Sequence, residues 1–151
     1  MSIEQTLADK GITLPEAPMP AANYVPFVQT GNLVFISGQI SADDNGLITG
    51  KLGDTTSLED GAAAARRCGL ALIAQLKAAI GNLDRVTRVV KLTGFVNSTP
   101  DFTDQPKVIN GCSDLMVEVF GEAGRHSRAA VSAPSLPFGV AVEIEAVFEV
   151  R

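Results

Sequence analysis

The sequence predicts an α+β fold in which a mostly antiparallel sheet carries two helices on one face. Three observations lead there. From Gly139 to Arg151 the chain alternates: Val140, Val142, Ile144, Ala146, Phe148 and Val150 fall on one face, and Ala141, Glu143, Glu145, Val147 and Glu149 on the other. Period two over that length marks a half-buried strand. Farther upstream, Leu58, Ala62, Ala65, Gly69, Leu72, Leu76 and Ala79 recur at steps of three and four, the apolar stripe of an amphipathic helix. The whole chain then reads ββ-α-β-α-ββ, with no tandem repeat and no linker.

The elements follow in order. Residues 2–10 suit a short helix capped by Ser2 and stopped by Gly11, followed by a proline-rich, extended segment. Strands are expected over 24–29 and 33–37, joined by Thr30-Gly31-Asn32, and Asp43-Asp44-Asn45-Gly46 is a further turn. Ser57-Leu58-Glu59-Asp60 reads as a capping box for the long helix, which Gly81 and Asn82 end. Residues 86–96 form a strand with Val86, Arg88, Val90, Leu92, Gly94 and Val96 on one face. The second helix covers 105–120, with Thr103 or Asp104 as cap, Pro106 in its first turn and Val108, Cys112, Leu115 and Val119 as its stripe. Gly111 inside it costs roughly 1 kcal/mol against alanine and calls for a packing reason.

At 151 residues, 46% apolar and 19% charged, the chain is long enough for one well-filled domain, 1–151, with residues 1–20 as an N-terminal extension. A net charge of −5, no tryptophan and one tyrosine argue against a nucleic-acid partner. Nothing approaches the apolar run needed to span a membrane, and the N-terminus lacks the apolar segment of a signal peptide, so a cytoplasmic protein is expected. Cys68 and Cys112 sit on the two helix stripes, as buried free thiols would. The single histidine, His126, reads as a surface residue, and no metal site is expected. No nucleophile elbow or phosphate-binding glycine loop is present, so covalent catalysis lacks support.

The chemistry-bearing residues cluster late. Arg128 opens the strand-like run Arg128-Ala129-Ala130-Val131-Ser132-Ala133. Paired as a hairpin with the final strand, it would bring its guanidinium near Glu143, as an ion pair or as a fork for an anionic ligand. Glu143 is either one of three carboxylates on a solvated strand face or a general acid/base. If the helices cover one face of the sheet, the other, with Ala130, Leu92 or Val89, and Val147, is apolar enough to favour self-association.

These residues also carry a family resemblance. Arg128-x-x-Val131, Leu136-Pro137 and Val142-Glu143-Ile144-Glu145-Ala146, with Tyr24, Gly31-Asn32 and Ser37-Gly38-Gln39-Ile40 upstream, resemble the reactive intermediate deaminases (RidA/YjgF, also called L-PSP endoribonuclease-like) over roughly residues 21–151. The resemblance implies a chorismate-mutase-like fold, a homotrimer with clefts between subunits, and no cofactor. It implies an enamine/imine deaminase that hydrolyses reactive amino-acid-derived intermediates to 2-keto acids and ammonia. In that reading Arg128 holds the substrate carboxylate and Glu143 handles water. Tyr24 reaches a neighbour's cleft, Ser37 and Gly38 line the pocket, and Asn110 faces it. Two departures stand out: Ala130 occupies the place where many deaminating members have cysteine, and residues precede Tyr24 that could cover a cleft or lengthen an interface. A non-catalytic trimer binding small carboxylates is the alternative; RNA cleavage or translation inhibition fits the acidic composition poorly.

Overall fold

The computed structural model describes residues 2–20 and 22–151. Its elements are α1 (Ile3–Asp9), β1 (Phe27–Thr30), β2 (Leu33–Ile40), β3 (Ala42–Asp43), β4 (Gly46–Leu47), α2 (Leu58–Ile80), β5 (Val86–Asn97), α3 (Gln105–Phe120), β6 (Ser127–Ala133) and β7 (Val142–Val150). A five-stranded sheet runs β1-β2-β7-β5-β6 and is antiparallel except where β6 joins β5 in parallel. The α+β expectation therefore holds. Capping accounts for the helix starts: the Ser2 hydroxyl accepts from the Gln5 amide and the Ser57 hydroxyl from the Asp60 amide. Gly81 ends α2 at φ 79°, where glycine carries no steric penalty. Asp104 stands at the start of α3 but makes no side-chain cap bond.

Strand identity was legible, but strand pairing was not. β6 and β7 do not form a hairpin; β5 lies between them. Alternation fixes which side each residue of a strand faces, while the partner depends on residues far away in the chain. The final strand has the predicted faces: Val142, Ile144, Ala146, Phe148 and Val150 are buried under the helices. β5 departs from simple alternation. Its register with β7 shifts between Val89 and Lys91, so Val89 and Leu92 both turn inward and Val90 is displaced. Leu92 and Val89 thus belong to the core and not to the open face, and Ala130, paired with Gly94, lies on the helix side with them. On the open face, Val147 is joined by Val28, Phe35 and Val131, each between 43% and 51% exposed.

The two helices approach closely because small residues meet. A Cβ at Gly69 would press on Leu115 and Cys112, and one at Gly111 would collide with the backbone carbonyl of Ala62. Close packing, then, is the reason for glycine inside α3. Both cysteines are free and buried there. Replacing Gly111 with alanine would gain about 1 kcal/mol of helix propensity. Pushing rigid backbone apart costs about 1–3 kcal/mol. Gly111→Ala is therefore expected to lower the urea midpoint, a net loss of up to about 2 kcal/mol by equilibrium unfolding; a gain would mean the helices separate freely.

Candidate active-site cleft

A bulge in β2 builds the most informative part of the surface. Register with β7 shifts between Ile36 and Gln39, which lifts Ser37-Gly38 out of the ladder. The Ser37 amide then donates to the Pro26 carbonyl and its hydroxyl to the Val25 carbonyl at 2.8 Å, fixing the strand end that carries Tyr24. Beside the bulge, Glu143 on β7 reaches across Gly38. A Cβ at position 38 would run into the Glu143 carboxylate, so glycine is what admits that carboxylate. Tyr24, Ser37, Gly38 and Glu143 line one cleft of about 290 Å³, closed on other sides by Pro18–Pro20, Leu47 and Phe138.

Glu143 is half-buried, and burial pushes its carboxyl above the ordinary carboxylate range, with the neighbouring Glu145 carboxylate adding to the effect. It makes no hydrogen bond or ion pair among the described residues. A carboxyl with a raised pKa in a cleft is a candidate to accept and return a proton.

Arg128 lies elsewhere. Its register partner is Leu92, which faces the helices, whereas Glu143 pairs with Phe95 and Ile40 on the open face. The expected proximity of Arg128 to Glu143 within one chain is therefore wrong, as is their ion pair; the cause is the intervening β5. Arg128 instead meets α3, where its Nη1 donates to Asn110 Oδ1 at 2.8 Å and to Ser113 Oγ at 3.1 Å. The chain of bonds continues from Ser113 to His126 Nε2 at 2.8 Å, and His126 Nδ1 sits 2.7 Å from the Gly124 carbonyl. Because a carbonyl only accepts, Nδ1 carries a proton, and Ser113 accepts from the arginine. All its partners are neutral. Nε and Nη2, the edge that matches a carboxylate with two parallel bonds, remain unused among the described residues.

The six sequence-derived candidates thus fall into two groups. Tyr24, Ser37, Gly38 and Glu143 share the cleft; Arg128 and Asn110 are joined to each other on the helix side of the far edge strand. Sequence reasoning missed Ser113 and gave His126 only a surface role. One signal was available: Asn110 and Ser113 are one helical turn apart, so they share a face. The cysteines contribute no nucleophile: burial pushes the Cys112 thiol up to about 12 and raises Cys68 as well.

Three comparisons bear on this arrangement. Residues 4–148 match the family described as "YjgF/chorismate mutase-like, putative endoribonuclease", so the match begins inside the segment expected to precede the family region. Protein TCP17 of Trypanosoma cruzi is 52% identical over 93% of this chain and 89% of its own. A 2-iminobutanoate/2-iminopropanoate deaminase of Dermatophagoides farinae is 29% identical over 90% of this chain and 92% of its own. Among solved structures, a protein of unknown function from Agrobacterium tumefaciens superimposes with a TM-score of 0.90 at 45% identity, covering 99% of this chain and 94% of that one.

The raised Glu143 pKa has a sign that can be tested. A carboxyl whose folded pKa exceeds its unfolded one, about 4.3, binds more protons in the native state between the two values, so stability falls as pH rises through them. Glu143→Gln removes that loss. The variant should match the parent protein in denaturant midpoint below about pH 4 and exceed it once the pH rises past that; a pH-independent gap would contradict the burial effect.

Proposed function

We propose that this chain, which belongs to the YjgF/chorismate mutase-like family, hydrolyses imines and enamines of amino-acid origin to 2-oxo acids and ammonia. The observation that supports this most is the half-buried Glu143 carboxyl, held across Gly38 inside the cleft that Tyr24 and Ser37 also line. The deaminase from Dermatophagoides farinae lends the reaction class.

In this reading Glu143 takes a proton from water as its oxygen bonds to the imine carbon. It returns that proton to the nitrogen of the resulting carbinolamine and takes up the hydroxyl proton as C=O forms and the C–N bond breaks, leaving the 2-oxo acid and ammonia. Imine hydrolysis is intrinsically easy, so placing the water and fixing the substrate suffice. Arg128 supplies the fixing: its Nε–Nη2 edge grips the substrate carboxylate, while Asn110 and Ser113 hold the far side of the guanidinium. Since Arg128 and Glu143 occupy different faces of one sheet, a complete site needs Arg128 from one protomer and Glu143 from another. A homotrimer with inter-subunit clefts answers that need, and the exposed Val28, Phe35 and Val131 on the open face favour association.

Ala130 favours a second reading. It is on the same side of β6 as Arg128, where many deaminating relatives carry cysteine. A trimer that binds small carboxylates without turning them over would retain the arginine and dispense with the thiol.

Ammonia release from enzymatically generated 2-aminoacrylate and longer imines separates the two. Arg128→Ala is expected to raise KM at least tenfold, the loss of a charge-assisted pair at about 1.5–3 kcal/mol, and Glu143→Gln to lower kcat about 10²–10⁴-fold. Mixed, co-refolded Arg128→Ala and Glu143→Gln chains should regain part of the activity, because some clefts then combine both intact residues. No acceleration by the parent protein with any chain length removes the hydrolase reading, and keto-acid binding without turnover establishes the second one.

A further inference from the structure

Four large apolar side chains stand exposed around the cleft: Met19 at 87%, Phe138 at 71%, Tyr24 at 52% and Leu47 at 47%. Singly, such residues are ordinary on a surface, but gathered around one hollow from four separate segments they mark a place that takes apolar matter. Among the described residues, Glu143 is the only charged side chain lining the hollow. Resting on the hydrolase reading, we propose that the strap Pro18–Pro20 and the Phe138 ring form a side-chain subsite, which makes the enzyme prefer imines of amino acids with long apolar side chains.

The strap is held in place. Gln75 of α2, only 2% exposed, donates its Nε2 to the Pro18 carbonyl at 2.5 Å and lies 3.5 Å from Gln39 Oε1. Gln39, also buried, donates in turn to the Ser37 carbonyl at 2.9 Å. Two buried amides therefore tie the strap to the bulge that positions Glu143, and neither can lose its partner without leaving a polar group unsatisfied. The prolines at 18 and 20 offer the cleft no backbone N–H, which keeps that wall apolar. Phe138 stands opposite in the turn Pro137–Gly139 with φ 58°, a left-handed conformation unfavourable for any residue but glycine. The ring is presented to the cleft despite that strain. A hollow of about 290 Å³ approaches the roughly 300–1,000 Å³ of pockets that take drug-sized molecules, more than a three-carbon acid requires.

The test compares kcat/KM for the imines of alanine, leucine and methionine, generated in place by an amino-acid oxidase, alongside calorimetric binding of the corresponding 2-oxo acids. Each buried methylene is expected to contribute about fourfold, from roughly 0.8 kcal/mol, so the leucine-to-alanine ratio should exceed about tenfold. In the double variant Met19→Ala/Phe138→Gly the ratio should fall to within about threefold; glycine at 138 suits the local backbone, and a ratio is insensitive to partial misfolding. A parent ratio near or below one, or a ratio unchanged by the double variant, overturns the subsite. Chain-length-dependent binding of 2-oxo acids without turnover supports the subsite while removing the hydrolysis, and turnover indifferent to chain length does the reverse. Failure of both binding and turnover overturns both.

Discussion

The position of β5 governs how this molecule distributes its chemistry. By lying between β6 and β7 it carries the register across the sheet, so that Leu92 matches Arg128 on one side and Ala146 on the other, while Phe95 matches Glu143. Direction therefore passes from strand to strand: whatever pairs with Leu92 faces the helices, whatever pairs with Phe95 faces away. A cation and a carboxylate that sequence spacing would bring together are assigned to different surfaces, and neither neutralises the other. A half-buried carboxyl without a partner among the described residues is costly to maintain inside a single chain.

Glycine serves the architecture in two distinct ways. Gly111 and Gly69 let α2 and α3 come together over the sheet, which sets where α3 presents Asn110 and Ser113 to Arg128. Gly38 acts at the opposite side, leaving space into which the Glu143 carboxylate leans. In the first case missing side chains improve packing, and in the second they make room for a carboxylate.

Much of this was readable from residue order, because much of it is local. The Ser57–Asp60 cap, the bounds of α3, the turn at Asp43–Gly46 and the two faces of β7 depend on neighbours within a few positions. Four of the six candidate residues line one cleft of the chain, Tyr24 among them, where the resemblance had it reach a neighbour's cleft. Misjudged features were those set at long range. Pairing of β6 with β5 depends on contacts between residues tens of positions apart, and the irregularities at Ser37-Gly38 and Val89-Val90 arise only when two strands are laid side by side. Nothing in residue order singles out Gln75; its role emerges only because Pro18 returns to meet it.

The middle of the sheet is occupied by β7, which holds β2 on one flank and β5 on the other, although it is the last of the strands to be synthesised. During translation α2 and α3 can dock as soon as they emerge, yet β2 and β5 have nothing to join them until Val142–Val150 arrives. Closing loops of that length is slow, and unsatisfied strand edges are prone to aggregate in the interval. Without that strand, the β1–β2 pair and the β5–β6 pair have nothing to join them into one sheet.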